Sequence, residues 1–310
     1  MKVFVTGATG AIGPATVRQL LDAGHEVRAV ARTDEKAATL RRAGAEPITV
    51  DLFDPAAVRS ATAGCDAIAH LATNVPPTSR AGRRRAWSTH NQLRTEGTRH
   101  LLDAARAHDI GVFVKESVTF VYPDRAAEWI DESVPPVRAG LLAPTIEGEE
   151  LVDAYGAAGG RGVVLRFGLF YGPASRGVEE SLRLARARAS TVAGRAGAYL
   201  SSIHTDDVGT AVRAALDAPA GRYNVVDDEP LTRRDYLDAF ASAFGLPHLW
   251  RTPALLVRLA AGSAASAVLA SQRVANTRFK ATTGWSPSQR DARVGWRAVA
   301  AAREQAGAAR

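Results

Sequence analysis

The chain has very little cysteine and no long apolar run. Of its 310 residues only Cys65 is a cysteine. A lone cysteine cannot form an internal disulfide, so we expect a protein of a reducing compartment, the cytoplasm. The first residues enter a short apolar strand pattern rather than the apolar segment of a signal peptide. No membrane span is predicted, because the most apolar late stretch, 255–270, is interrupted by Arg258.

Lysine is also scarce, so arginine supplies nearly all of the positive charge. The formal net charge is +7, and the only lysines are Lys2, Lys36, Lys115 and Lys280. The arginine run at 83–85 has no aromatic residues among the arginines and no nucleic-acid motif beside it, so we interpret it as a solvated loop. We therefore expect no nucleic-acid partner. The few histidines and the single cysteine lack the spacing of metal ligands, so no metal site is predicted.

Short apolar runs alternate with amphipathic stretches over the first part of the chain. Gly24 and Gly44 follow two of the amphipathic stretches, and Asp54-Pro55 begins a third. Strands separated by helices need crossover connections, which form a parallel sheet whose carboxyl ends share one ligand-binding edge. The sequence thus predicts an α/β fold of the Rossmann type. Its predicted strands are 3–5, 27–31, 47–50, 67–71 and 111–114, and its predicted helices are 15–23, 35–43, 55–63 and 95–108.

A glycine-rich turn joins the first predicted strand to the first predicted helix. Glycines allow the backbone to approach a pyrophosphate closely, and the helix N-terminus offers free N–H groups and positive potential. The spacing is Gly-x-x-Gly-x-x-Gly rather than the commoner Gly-x-Gly-x-x-Gly. We therefore predict a dinucleotide site here. Its predicted residues are Gly7, Thr9, Gly10, Ile12 and Gly13.

Residues after the following strands extend the predicted cofactor site. Arg32 follows the second strand, where a carboxylate commonly binds the ribose 2′-hydroxyl of NAD and an arginine suits the 2′-phosphate of NADP. We therefore expect NADP, while the nearby Asp34 leaves NAD open. The adenine is expected beside Asp51 and Leu52, and the cofactor ribose beside Leu71, Ala72 and Thr73.

Together these motifs resemble the extended branch of the short-chain dehydrogenase/reductase superfamily, the NAD-dependent epimerase/dehydratase family. The resemblance extends to about Trp296 and includes later motifs at 96–98, 166–173, 203–208, 223–225 and 284–287. It implies a Rossmann-type doubly wound parallel sheet with a smaller C-terminal substrate lobe. The expected dinucleotide-binding domain is 1–165, to which 201–245 returns. The expected substrate-binding lobe is 166–200 with 246–310.

The chain lacks the Tyr-x-x-x-Lys pair on which the chemistry of this family rests. In the family the tyrosine transfers a proton, the lysine holds the ribose and lowers the pKa of the tyrosine, and a serine or threonine lies nearby. No tyrosine of this chain has a lysine four residues later. The expected tyrosine falls near Leu142, the lysine near Ile146 and the hydroxyl near Val118, all of them apolar. A shift of one residue offers Ser117 or Thr119 for the hydroxyl, and Thr145 or Glu147 near the lysine position.

Polar residues after the fifth predicted strand are candidates for replacement catalytic chemistry. Glu116 is a candidate base, since a carboxylate in an apolar cleft acquires a raised pKa. The alternative is a carboxylate that points to solvent or pairs with Lys115 or Arg99. Ser117 and Thr119 could bond the nicotinamide amide or a substrate carbonyl, and the alternative for both is capping of the strand end.

These residues favour an NAD(P)-dependent oxidoreductase or an epimerase/dehydratase-like enzyme that acts on a small polar metabolite with a non-standard acid–base set. Two alternatives stay open. One is a non-redox isomerase or cyclase that retains the cofactor, and the other is a dinucleotide-binding regulator without turnover. The expected partner is a small-molecule substrate rather than a membrane, and a homodimer is compatible with the sequence.

Overall fold

The protein is built around one parallel sheet, with further short strands outside it. The computed structural model describes residues 1–77, 80, 82–138, 140–173, 176–261 and 265–308. Its strands are β1 (Lys2–Thr6), β2 (Glu26–Val30), β3 (Glu46–Ile48), β4 (Ala67–His70), β5 (Val112–Val118), β6 (Trp129–Ile130), β7 (Arg161–Phe167), β8 (Leu169–Tyr171), β9 (Ala189–Ala193), β10 (Tyr199–Leu200), β11 (Ser202–His204), β12 (Gly221–Val225), β13 (Leu231–Thr232), β14 (Trp250–Thr252) and β15 (Arg273–Val274).

Helices connect these strands. They are α1 (Gly13–Asp22), α2 (Asp34–Arg42), α3 (Pro55–Thr62), α4 (Ser88–Gln92), α5 (Thr98–Ala107), α6 (Ala143–Ala157), α7 (Arg176–Ala185), α8 (Thr205–Ala215), α9 (Arg233–Ala243), α10 (Ala254–Ala261), α11 (Ala265–Leu269), α12 (Thr277–Thr283) and α13 (Ala292–Ala308). No helix of the described residues is long and apolar enough to cross a membrane. In the same part of the chain, no three His, Cys, Asp or Glu side chains are grouped so as to hold a metal ion.

The main sheet has seven strands in the order β12-β7-β5-β4-β1-β2-β3, and all of its pairs are parallel. This confirms the predicted α/β Rossmann-type fold. The predicted first five strands lie where expected, but β5 continues four residues beyond its predicted end, from 114 to 118. The difference matters for the site, because it moves two predicted catalytic residues into the sheet.

Local sequence signals determine several helix starts. The Thr33 hydroxyl caps α2 by accepting the Lys36 N–H at 3.4 Å, and α2 has acidic residues in its first turn and arginines in its last. Asp54 caps α3, where Pro55 occupies the start of the helix. The fourth predicted helix, 95–108, starts earlier than expected. It consists of α4, a π-helical turn at Leu93–Gly97 and then α5.

Apolar side chains cover both faces of the main sheet. On one face α1 and α8 pack together over strand residues such as Val5 and Val114. On the other face α3, α5 and α6 surround residues such as Phe4, Ile68 and Phe113. A sheet that is buried on both faces leaves only its strand ends for ligands, so the carboxyl edge is the available site.

A further core lies around α7, α9 and α13, where Trp296 packs against Tyr171, Tyr236 and Phe240. The sequence predicts one strand at 199–203, and the structure has β10 and β11 there instead. β12 lies in the main sheet beside β7. The proposed domain limits at 165, 200 and 245 stay a prediction.

Candidate active site

The glycine turn after β1 is packed on one side and open on the other. Gly7 has a φ of +73°, and its carbonyl accepts the Gly10 N–H at 2.9 Å. A Cβ on Gly7 would lie 2.6 Å from the Leu71 carbonyl, and a Cβ on Gly13 would lie 2.2 Å from the Ala8 carbonyl carbon. A Cβ on Gly10 would meet only the Gly7 oxygen, at 3.1 Å. The exposed side of Gly10 is therefore free for a ligand.

Helix α1 begins at this turn without a side-chain cap. Its N-cap residue is Ile12, which offers no acceptor, and its first turn has no acidic residue. The first N–H groups of a helix lack intrahelical partners and have positive partial charge, so they favour an anion. The turn and the helix terminus thus fit a pyrophosphate bridge, which they would hold with backbone donors.

Thr6 links the turn to the segment after β4. Its hydroxyl lies 2.8 Å from His70 Nδ1 and accepts the Ala72 N–H at 3.2 Å, while its carbonyl accepts the Leu71 N–H at 3.3 Å. Burial lowers the pKa of His70 well below its ordinary value, and the charge of Lys115 lowers it further. His70 is therefore a neutral, packed side chain.

The other predicted cofactor residues lie along the same edge. Arg32 is exposed just after β2, and Asp51 is exposed with its carboxylate accepting the Phe53 N–H at 3.0 Å. Leu52 is buried, and the segment 71–73 passes from buried to exposed. The structure thus brings the predicted cofactor residues to one open edge, while their individual contacts stay predictions.

Glu116 does not lie beyond the end of β5, where the sequence placed it. It is inside the strand, opposite Leu165 of β7. Its carboxylate pairs with Arg94 at 2.7 Å, and the side chains are 4% and 3% exposed. Arg94 also donates to the Glu116 carbonyl at 2.7 Å. The partner is therefore neither Lys115 nor Arg99, and a carboxylate that a buried guanidinium holds in this way is not a free base.

Ser117 also lies inside β5 and begins a buried chain of hydrogen bonds. Its hydroxyl donates to Glu149 at 2.5 Å, and Arg166 donates to the same carboxylate at 2.9 and 2.6 Å. Arg166 donates to the Tyr122 hydroxyl at 2.8 Å, which donates to Asn224 at 2.8 Å. Burial raises the pKa of Tyr122, so the phenol stays protonated near neutral pH. This series of hydrogen bonds joins β5, α6, β7 and β12. The Ser117 hydroxyl is therefore already engaged as a donor within it.

Lys115 is a buried cation to which the sequence assigned no role of its own. Its ammonium donates to the Thr98 hydroxyl at 3.0 Å and the residue is 1% exposed. Burial lowers the pKa of Lys115 to about 7, and Arg94 also lowers it, while Glu116 and Glu149 act in the opposite direction. The available signal was a lysine inside the otherwise apolar strand pattern, which requires a local partner.

Two buried threonines near the carboxyl end of β5 have hydroxyls without a hydrogen-bond partner among the described residues. Thr119 follows β5 directly, and Thr145 lies near the start of α6; each residue is 2% exposed. Thr145 is one helical turn before Glu149 on the same face, so it lies towards the carboxyl end of β5. Val118 and Leu142, where the sequence predicted that the family's polar groups would fall, are half-buried apolar residues.

The hydroxyl of Tyr171 is hydrogen-bonded to another buried group. It donates to Asp227 at 3.0 Å, and Ser202 donates to the same carboxylate at 2.9 Å. Burial raises the pKa of both Tyr171 and Asp227. Nearby, His204 Nδ1 accepts the Asp206 N–H at the start of α8. These motif residues therefore stabilise the fold.

The profile of the "NAD dependent epimerase/dehydratase family" matches residues 3–226, and the chain belongs to this family. A "3-diazoavenalumate denitrifying reductase" of Streptomyces sp is 32% identical over 93% of this chain and 96% of its own length. A "2-alkyl-3-oxoalkanoate reductase" of Stenotrophomonas maltophilia is 30% identical over 80% of this chain and 77% of its own length. Membership assigns the chain an NAD(P)-dependent oxidoreductase or epimerase-like role with a nicotinamide dinucleotide as its cofactor.

Solved structures agree with this fold. Human epimerase family protein SDR39U1 (isoform 2) with NADPH has a TM-score of 0.78 at 24% identity, over 97% of this chain and 99% of its own. The UDP-glucose 4-epimerase of Thermus thermophilus in complex with NAD has a TM-score of 0.78 at 24% identity, over 97% of this chain and 98% of its own. At these identities the likeness concerns the architecture alone.

Proposed function

We propose that the protein is an NADP-dependent reductase of a small organic substrate, in which Thr119 bonds the reacting oxygen. When bound, a reduced nicotinamide would supply a hydride to a carbonyl carbon, and Thr119 would hold the carbonyl oxygen, which takes its proton from solvent. The observation that carries the proposal is the open turn of Gly7, Gly10 and Gly13 with the exposed Arg32 beside it. The two relatives quoted above support the redox reaction, because both are named as reductases.

The choice of Thr119 follows from the partners of its neighbours. Glu116 is paired with Arg94, and the Ser117 hydroxyl donates to Glu149. Tyr122 has a raised pKa and two hydrogen-bond partners, so it is a poor proton donor near neutral pH. Thr119 has a hydroxyl free of partners among the described residues at the carboxyl end of β5, where Thr145 adds a second. In this proposal Glu116 and Ser117 are positioning residues that hold β5.

A second function has one observation in its favour. The residues at the family's acid–base positions are apolar, and no tyrosine has a lysine four residues later. This arrangement suits a protein that retains the cofactor without redox turnover, as an isomerase or as a regulator. Absorbance at 340 nm separates the two functions, because only the reductase consumes NADPH when a 3-oxo acid is added.

The role of Thr119 is tested by removal of its hydroxyl. Thr119→Val should lower kcat about 100-fold, the size typical of a lost hydrogen bond to an oxygen on which charge develops in the transition state. The same absorbance assay measures the change. Thr191→Val is the matched control, since Thr191 is an exposed threonine of β9, and it should keep the kcat of the wild type. An unchanged kcat in Thr119→Val would contradict the assignment of Thr119 to the reacting oxygen.

The cofactor preference is tested at Arg32. Arg32→Ala should weaken NADPH binding about tenfold and leave NADH binding unchanged, because only NADPH has the 2′-phosphate. Binding is measured by the fluorescence of the reduced cofactor. Arg41→Ala is the matched control, since Arg41 is an exposed arginine in the last turn of α2. Equal losses for both cofactors, or no loss, would contradict the assignment of Arg32 to the 2′-phosphate.

A further inference from the structure

Helix α10 exposes its leucines to solvent. Its sequence, ALLVRLAA, contains one charged residue, Arg258. Leu255, Leu256 and Leu259 are 66%, 55% and 76% exposed. Positions 255 and 259, and positions 256 and 259, are neighbours on a helix surface, so the three leucines form one patch. A helix this apolar is normally buried, so the exposed patch is a candidate contact surface.

The helix pair α10–α11 is held beside the candidate active site. α10 packs against α11, and α11 packs against the 3₁₀ turn Thr119–Val121. Arg233 donates to the carbonyls of Val268 and Ala270 at 2.7 and 2.8 Å and so fixes the end of α11 to α9. The next residue but one, Gln272, donates to the Tyr122 carbonyl at 2.5 Å. The pair therefore joins the substrate side of the molecule to the segment that follows β5.

Two other occupants of the patch fit the observations less well. A stable dimer buries roughly 800 Å² on each partner. The three exposed leucines of an eight-residue helix provide a smaller area than this. An interfacial membrane helix is typically rich in Lys and Arg, whereas α10 has Arg258 alone and α11 has no charged residue. A ligand that needs apolar contact and little area, and that can reach from α10 along α11 to the Thr119–Val121 turn, is the alkyl chain of a substrate.

We propose that the α10 leucines bind the apolar chain of a long-chain acyl or alkyl substrate whose reactive carbonyl lies at Thr119. This inference rests on the proposed reductase function and names its substrate class. The expected small polar metabolite is thereby replaced by an amphiphilic one. Its apolar chain would cover Leu255, Leu256 and Leu259, while its polar end enters the edge of the main sheet.

The test uses dodecanoic and hexanoic acids, whose binding to the NADPH-loaded full chain is measured by displacement of a fluorescent fatty acid. We expect dodecanoate to bind at least tenfold more tightly than hexanoate. The double variant Leu255→Ser/Leu259→Ser should lose most of that difference, because it removes apolar contact at exposed positions without a change in the core. Val294→Ser is the matched control, since Val294 is 39% exposed on α13, and it should preserve the difference.

Several outcomes would overturn the inference. They are equal binding of the two acids, an unchanged preference in the double variant, a dimer in light scattering that the double variant disrupts, or sedimentation of the wild-type chain with neutral lipid vesicles. NADPH fluorescence distinguishes this failure from that of the proposed function. A chain that binds NADPH and reduces short and long 3-oxo acids with equal KM refutes the apolar site and leaves the reductase intact.

Discussion

The glycine turn after β1 and the end of β5 lie at the same edge of one sheet, but the first is built from backbone groups and the second from buried charged side chains. The turn uses backbone groups, and its open side has no charged residue in the first turn of α1. The end of β5 contains buried charges, with Glu116 paired to Arg94 and Lys115 held by Thr98. The predicted cofactor site is thus made from the main chain, whereas buried ion pairs shape the end of β5, where the proposed substrate would bind.

The backbone turn and the buried ion pairs respond differently to amino-acid substitution. A backbone turn fails when any side chain fills its narrow space. A buried ion pair fails when one partner is removed, because the other charge is left without solvent or counter-charge. Three substitutions separate these two kinds of failure, in order of expected effect.

The largest effect is expected at Glu149, which joins β5 to β7 through Ser117 and Arg166. Glu149→Gln should lower the free energy of unfolding by about 3–5 kcal/mol, because it leaves the buried guanidinium of Arg166 unpaired. Urea unfolding measures the change. Glu150→Gln is the matched control on the same helix. Its ion pair with Arg138 is exposed, so the loss should be about 0.5 kcal/mol or less. Similar losses in the two variants would contradict the importance of the buried pair.

A second substitution breaks the turn itself. Gly13→Ala places a Cβ 2.2 Å from the Ala8 carbonyl carbon, so the turn must open. NADPH affinity should fall at least 100-fold, or about 2.7 kcal/mol. Fluorescence titration measures the affinity, and the melting temperature shows whether the variant is folded. Gly197→Ala, where an added Cβ meets nothing within 4 Å, should bind NADPH as the wild type does. A folded Gly13→Ala variant with normal affinity would refute the turn as the pyrophosphate site.

The smallest effect concerns Lys115 and its dependence on pH. The pKa of Lys115 is lowered from 10.5 to about 7 in the folded protein, so between these values the unfolded chain binds more protons. The free energy of unfolding therefore rises with pH over this interval, and the penalty for the buried ammonium is complete below pH 7. Lys115→Met should remove this rise. Its stability relative to the wild type should be higher at pH 6.5 than at pH 9 by about 2 kcal/mol, as one pKa unit is about 1.4 kcal/mol.

Urea unfolding at the two pH values measures this difference. Thr98→Val removes the hydroxyl partner of Lys115 but keeps the ammonium, so it should retain the rise with pH. A Lys115→Met variant with the same pH dependence as the wild type would show that other groups cause the rise.

The parts of the fold that the sequence predicted well are those with local signals. Asp54 marks a helix start by its own hydrogen bonds, and Gly7 of the turn marks a backbone conformation with positive φ. The predicted end of β5 was wrong, because charged residues such as Glu116 suggest a strand end when their partners are unknown. Its partner Arg94 lies in a π-helical turn, which no local sequence pattern predicted.

Local patterns in the chain are sufficient to predict the parallel sheet and the glycine turn, and the lack of a Tyr-x-x-x-Lys pair is read directly from the residues. These features depend on residues close together in the chain, on their periodicity and on backbone freedom. Which polar groups at the end of β5 are free depends instead on the folded chain, because a charge is neutralised by whichever residue the fold brings to it. The partner of Glu116 lies 22 residues away in the chain and that of Ser117 lies 32 residues away. The Thr119 hydroxyl has no hydrogen-bond partner among the described residues.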